Sequence, residues 1–183
     1  MFQRARAVPN RIGSVWLTMH PAALPVEELL RQCDTLRTRR GGPGGQHRNK
    51  VETAVVLTHR PTGLSAEAAE RRSQAENQRV AVGRLRLRLA IEHRAPPAAA
   101  GPSPLWQSRV CGRHISVSPR HADLPALIAE ALDRLQPSGW EMPPAAAALG
   151  VTTSQLIRLF RQVPAAWTAI NRLRLAHGLP PLK

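Results

Sequence analysis

Apolar side chains recur at helical spacing through Ala81, Val82, Leu85 and Leu89, and the run follows Ser73-Gln74-Ala75-Glu76, which has the spacing of a capping box. The pattern predicts a helix from about Ser73 to about His93, with Arg79 and Arg86 opposite its apolar stripe. Upstream, Val51-Glu52-Thr53-Ala54-Val55-Val56-Leu57-Thr58 is β-branched and bounded by Pro61-Thr62-Gly63, a strand running into a turn. Pro25-Val26-Glu27-Glu28-Leu29-Leu30 reads as a helix start, with proline in the first turn and two acids where the helix dipole favours them. Residues 1–23 show no clear period and read as an extension with at most a short turn of helix.

Ala95 to Pro104, APPAAAGPSP, is a Pro/Ala-rich linker that divides the chain. Beyond it, Leu124 to Leu135 carries apolar residues at helical spacing. Pro143-Pro144 opens an Ala-rich helix ending at Leu149-Gly150, and Thr152 or Thr153 caps a second one containing Leu156, Ile157, Leu159 and Phe160. Helix, glycine turn, helix is the order of a helix-turn-helix, although such units are also common with no nucleic acid nearby. The end of the chain, AAWTAINRLRLAHGLPPLK, looks helical and is only mildly basic. The organisation expected is an extension (1–23), a domain (24–94), a linker (95–104) and a helical module (105–183).

Charge narrows the function classes. Lys+Arg total 26 against 12 for Asp+Glu, a net charge of +14, and only Lys50 and Lys183 are lysines. Guanidinium forks pair bidentately with phosphate and stack on bases, so nucleic acid is a better partner than a membrane, for which no amphipathic anchor is visible. Aromatic content is 3%, with no tyrosine, which argues against a single-strand binder that stacks successive bases and for phosphate contacts. The excess is larger before the linker, 17 basic and 8 acidic residues in 1–94 against 9 and 4 in 95–183. Cys33 and Cys111 lie far apart without a metal-ligand pattern, so no metal is expected and a reduced compartment is the simplest reading. No apolar run has signal-peptide or membrane-span length, and the expectation is a cytoplasmic protein.

The densest chemistry sits in Arg39-Arg40-Gly41-Gly42-Pro43-Gly44-Gly45-Gln46-His47-Arg48-Asn49-Lys50. Its glycines allow positive φ and close backbone approach to a ligand, while Pro43 removes one donor and stiffens one φ. A P-loop is excluded, because Gly45 is followed by Gln46-His47 rather than Lys-Ser/Thr. Gln46 does not titrate near neutral pH and so is no general acid or base. It offers a donor, an acceptor and a backbone N–H at the end of a sterically bare arm, which suits positioning a water and stabilising an oxyanion in a site built by something else.

The segment resembles the catalytic domain of class I peptide chain release factors and their ribosome-rescue relatives. The likeness is carried by Gly42-Pro43-Gly44-Gly45-Gln46-His47, Asn49-Lys50, Thr53-Ala54-Val55, Leu57-Thr58-His59, Pro61-Thr62-Gly63 and Arg72-Ser73-Gln74, with Asn77, Ala81 and Leu85 following. It covers about residues 24 to 90 and implies hydrolysis of the peptidyl-tRNA ester in the ribosomal peptidyl transferase centre. By position, Gly44 and Gly45 would let the arm reach the tRNA 3′ end. The backbone amide of Gln46 would serve the oxyanion or the departing ribose oxygen, and its side chain would order solvent. Methylation of that side chain is common in the family, which makes Gln46 a modification candidate and a glutamine methyltransferase a partner candidate.

The same resemblance assigns Arg37, Arg39, Arg40, Arg48 and Lys50 to rRNA phosphates near the loop, with Arg72, Arg79 and Arg86 as further rRNA or tRNA contacts. The partners implied are the large-subunit rRNA and P-site peptidyl-tRNA, with a further protein as a candidate for recognising the stalled state. No cofactor is implied. Full release factors read stop codons through a separate domain bearing Pro-x-Thr or Ser-Pro-Phe. This chain leaves no room for it, and Ser103-Pro104-Leu105 lies in the linker, so release without codon reading is expected. The fold expected is α+β: a small sheet with a packed helix carrying the loop, then the linker and a small all-α module. Two rival readings are a non-catalytic ribosome or RNA binder and a helix-turn-helix DNA-binding regulator.

Overall fold

The computed structural model describes residues 19–38, 53–96 and 101–183. The first described element is a 3-10 turn, Pro21–Ala23, capped by His20, whose Nδ1 accepts from the Ala22 N–H at 3.0 Å. Helix α1 (Val26–Arg31) follows with Pro25 at its N-cap and Glu27 and Glu28 in its first turn. Strands β1 (Cys33–Thr38), β2 (Ala54–His59) and β3 (Ser65–Ala68) then form an antiparallel sheet with β2 in the centre. The β1–β2 register runs from Cys33 opposite His59 to Thr38 opposite Ala54, and β2 meets β3 from Thr58 opposite Ser65 to Val55 opposite Ala68.

The central strand buries Ala54, Val55, Leu57 and His59, which explains why its sequence reads so plainly as β. Edge strand β1 buries only Cys33 and leaves Leu36 exposed, so CDTLRT carries no alternation to read. Helix α2 (Gln74–Glu92) matches the helix expected from the capping box: Ser73 is its N-cap, and the Ser73 Oγ accepts from the Glu76 N–H at 3.4 Å. Its buried stripe of Ala81, Leu85 and Leu89 packs over β2 and β3, and α2 also packs against α4 (Leu124–Leu135). Full burial of each of those leucines contributes about 1.5–3 kcal/mol relative to exposure.

The C-terminal part begins with α3 (Pro104–Ser108), whose first residue is the last of the expected linker. A two-residue ladder, β4 (Val110–Cys111) with β5 (His114–Ile115), precedes α4, α5 (Met142–Ala148), α6 (Thr153–Arg161) and α7 (Pro164–Ala176). Of the two threonines that suit the α6 cap, Thr152 does it, accepting from the Gln155 N–H at 3.2 Å. Fully buried Trp106 donates its indole N–H to the Leu149 carbonyl at 2.9 Å, which locks α3 to the end of α5. Arg94, just past α2, pairs with Asp133 of α4 at 2.9 Å, and the Ala95 N–H donates to the same carboxylate at 3.2 Å. Burial pushes the Asp133 carboxyl up to about 6, with Arg94 pulling the other way. Buried residues of the sheet, α2 and the C-terminal helices form one contiguous cluster.

Candidate functional site

The ends of β1 and β2 define the base of the glycine-rich loop. Thr38 and Ala54 are ladder partners, so the chain leaves the sheet at Thr38 and returns to it beside its point of departure. Gly44, Gly45 and Gln46, with Arg39, Arg40, Arg48 and Lys50, lie outside the described residues. The structure therefore describes the stem and what holds it.

Asn77 is the residue that organises the returning side of that stem. It lies in the first turns of α2, is fully buried, and its amide donates to the Thr53 carbonyl at 2.6 Å and the Arg71 carbonyl at 2.9 Å. Its Oδ1 accepts from the Arg71 N–H at 2.9 Å. Three of the four hydrogen bonds open to an asparagine amide are thus made, and all go to backbone. The geometry ties the chain just before β2 to the bend that precedes α2. The sequence analysis named Asn77 as part of a resemblance without assigning it work. An asparagine inside a capped helix, where it is a poor helix former, was the available signal.

The other end of the sheet is closed by His59. Its ring meets the Thr62 Oγ1 at 2.8 Å and the Gln32 Oε1 at 3.1 Å, linking the β2–β3 turn to the end of α1. Burial pushes its pKa down, which favours the neutral imidazole that these two contacts use. Gly63 in that turn has φ +69°, a conformation that glycine adopts without the steric cost of a side chain.

The expected phosphate-contacting arginines separate into two groups. Arg37 is exposed near the end of β1, and Arg72 is exposed in the bend that Asn77 holds, next to Arg71. Among the described residues neither Arg37 nor Arg72 has a hydrogen-bond or ion-pair partner, so both present uncompensated charge close to the stem. Arg84, by contrast, is neutralised by Glu70 at 2.6 Å and also donates to the Glu67 carbonyl at 2.7 Å. Hydrogen bonding to backbone N–H groups holds the Glu70 carboxyl below its ordinary range.

Arg79 and Arg86 stand seven residues apart on a different face of α2 from Asn77 and line a groove of about 730 Å³. Val26, Val82, Leu124 and Val163 supply much of its apolar wall. Arg79 is exposed. Arg86 is half-buried and donates to the Leu24 carbonyl and, at 3.5 Å, to the Ala122 carbonyl, so it bridges α2 to two neighbouring segments. Burial pushes its pKa down, with Asp123 opposing. Among the described residues, no cluster of His, Cys, Asp or Glu is placed to hold a metal ion, and no helix is long and apolar enough to cross a membrane.

Comparison with known proteins converges on the same segment. The RF-1 domain family matches residues 28–102. The chloroplastic peptide chain release factor PrfB1 of Arabidopsis thaliana is 47% identical over 68 residues, 37% of this chain and 14% of that protein. Peptide chain release factor 1 of Acidiphilium cryptum is 49% identical over 90 residues, 48% of this chain and 25% of that protein. Peptide chain release factor 1 of Xylella fastidiosa is 38% identical over 84 residues, 46% of this chain and 21% of that protein. The chain thus spans a quarter or less of the length of these relatives.

Proposed function

Residues 28–102 are a domain of the class I peptide chain release factor family, and on that premise we propose that the chain is a ribosome-dependent hydrolase of the peptidyl-tRNA ester that acts without reading a stop codon. Water attacks the ester carbonyl, the bond to the terminal ribose oxygen breaks, and the products are a free peptide carboxylate and a tRNA with a 3′ hydroxyl. Gln46 orients the water and presents its backbone N–H to the developing charge, and Gly44 and Gly45 keep the arm thin enough to enter. Arg37, Arg39, Arg40, Arg48, Lys50 and Arg72 meet rRNA phosphates around the stem.

The observation that carries this reading is the rigid base given to the Gly-Gly-Gln segment: the Thr38–Ala54 ladder on one side and the Asn77 contact to Thr53 on the other. A catalytic group without its own base or metal works by placement, and placement needs a fixed stem. Methylation of the Gln46 side chain by a glutamine methyltransferase, and a partner that recognises the stalled state, belong to the same proposal.

The test is release of labelled peptide from purified ribosome complexes by wild type and Gln46→Ala. The P site is loaded, and the A site holds a stop codon, a sense codon, no mRNA or no small subunit. Gln46-dependent release irrespective of the codon is expected, with ribosome binding retained by the variant. Release confined to stop codons overturns codon independence, and binding without release from any complex overturns the hydrolase.

A further inference from the structure

We infer that α5 and α6 form a helix-turn-helix whose exposed α6 face docks in the major groove of double-stranded DNA. This goes beyond the hydrolase reading and rests on residues C-terminal to 28–102.

The turn between the helices is built for the motif. Helix α5 ends with Gly150 at φ +68°, the Val151 N–H donating to the Ala146 carbonyl at 3.0 Å and the Gly150 N–H to the Ala147 carbonyl at 3.1 Å. This double closure satisfies two of the last carbonyls of α5, and the Thr152 cap starts α6 at once. The chain therefore reverses within Leu149-Gly150-Val151-Thr152, with the Ala146 and Ala147 carbonyls paired on one side and the Gln155 N–H on the other.

Packing then fixes which face of α6 looks outward. Ala145, Ala146, Leu149, Val151, Leu156, Leu159 and Phe160 are each no more than 2% exposed and form the interior of the pair. Ser154, Arg158 and Arg161 are exposed and fall on one stripe at helical spacing, with half-buried Ile157 beside them. Arg158 has no hydrogen-bond or ion-pair partner among the described residues. Arg161 lies 5.2 Å from the Trp167 ring centroid and donates to the Lys183 carbonyl, which holds it at the C-terminal end of the stripe.

A second element supplies charge at the other end. The β4–β5 turn is anchored to the start of α6, the Thr152 N–H donating to the Arg113 carbonyl at 3.3 Å, and Arg113 is exposed there with Gly112 at φ +59°. Arg113 thus stands beside the N-terminal end of α6, whose exposed stripe carries Arg158 and Arg161. From Met142 to Lys183 the sequence holds no Asp or Glu. Of the four acids between the linker and Met142, three are engaged elsewhere, Asp123 with Arg109 at 2.5 Å, Asp133 with Arg94 and Glu130 with Ser103, while Glu141 is exposed just before α5.

The occupant follows from shape and charge. A helix about 10–12 Å across fits a B-form major groove about 12 Å wide, between two walls of phosphate, whereas the A-form RNA major groove is deep and narrow. Ser154 and Arg158 can hydrogen-bond base edges, and Ile157 can contact a thymine methyl. A protein partner would want an apolar centre, and the stripe offers one half-buried isoleucine among cations.

The test uses the full chain and a randomised double-stranded DNA pool, followed by anisotropy with the enriched duplex, a scrambled duplex and an RNA duplex of equal length. A recurring sequence is expected to emerge, bound more tightly than either control. Arg158→Ala is expected to weaken that complex at least about fivefold and relax the preference, with Ser154→Ala acting in the same direction. Arg113→Ala is expected to lower the salt slope by about one. Arg31→Ala, a charge-matched change far along the sequence on α1, leaves the preference intact, and so does Gln46→Ala, which separates this surface from peptide release. The inference is overturned if no sequence is enriched, if the RNA duplex binds as well as the enriched DNA, or if folded Arg158→Ala and Ser154→Ala, checked by thermal midpoint, keep the wild-type preference.

Discussion

The amide of Asn77 donates to the carbonyl of Thr53 at 2.6 Å, across 24 residues of sequence. Through it the start of α2 grips the chain where that chain returns from the Gly-Gly-Gln segment to β2. Asn77→Ala leaves the Thr53 carbonyl and both Arg71 backbone groups without their partner, at about 1–3 kcal/mol for each such buried group. Asn77→Asp is expected to be worse, because it sets a carboxylate against two carbonyls. Denaturant midpoints read the stability loss. If the stem guides the loop, peptide release by Asn77→Ser under conditions where it stays folded falls further than ribosome binding does.

Arg72 and Arg86 should respond in opposite ways. Arg72 is exposed, so Arg72→Ala is expected to change stability by less than about 0.5 kcal/mol while weakening ribosome binding and its salt dependence. Arg86 bridges α2 to Leu24 and Ala122, so Arg86→Ala is expected to lower the thermal midpoint by several degrees. Thermal melts and binding across a salt series, run on both variants, separate the two roles. An unchanged midpoint in Arg86→Ala would show that the bridge contributes nothing.

Trp106 holds the C-terminal helices together through bulk and one hydrogen bond. Trp106→Phe keeps much of the volume but leaves the Leu149 carbonyl unpaired, an expected loss of about 1–3 kcal/mol. Trp106→Ala adds a cavity and is expected to cost about 3–5 kcal/mol. Urea unfolding followed by circular dichroism distinguishes these magnitudes, and equal losses in the two variants would mean that the hydrogen bond outweighs packing.

Acid should destabilise the fold through His20. Burial holds its pKa down at about 4, against a backbone hydrogen bond to His93 that acts the other way. Its Nδ1 accepts from Ala22 while Nε2 lies 3.2 Å from the His93 carbonyl, so the neutral ring fits both contacts. A folded pKa below the unfolded value of about 6.5 means that the contribution is complete above pH 6.5 and is lost as pH falls toward 4. Asp133, with its carboxyl raised to about 6, works in the opposite sense over the same window. The measurement is therefore the stability gap between wild type and His20→Gln, which is expected to shrink by on the order of 2 kcal/mol from pH 7 to pH 4. A gap independent of pH would show that the ring is not held neutral.

Much of the helical architecture was legible because its signals are local. Ser73 with Glu76, the apolar stripe of α2, the run Leu124–Leu135 and the glycine after α5 each state an element within a few residues. Strands β1 and β3 were not legible, since CDTLRT and SAEA carry little apolar pattern and exist as strands because β2 pairs with them. Arg86 shows the same limit for a site residue. On the helix pattern it sits with Arg79 among free cations, and only the approach of Leu24 and Ala122 makes it a bridge.

The sequence by itself determined the family segment, the helices and the surplus of arginine, because periodicity, capping residues, motif spacing and charge are properties of neighbours along the chain. Only the tertiary structure decided that Asn77 holds the loop stem, that Trp106 closes on Leu149, and that Arg113 stands at the head of α6. Each of those is a contact between groups many residues apart, and a hydrogen bond of that kind depends on where two backbones meet in space.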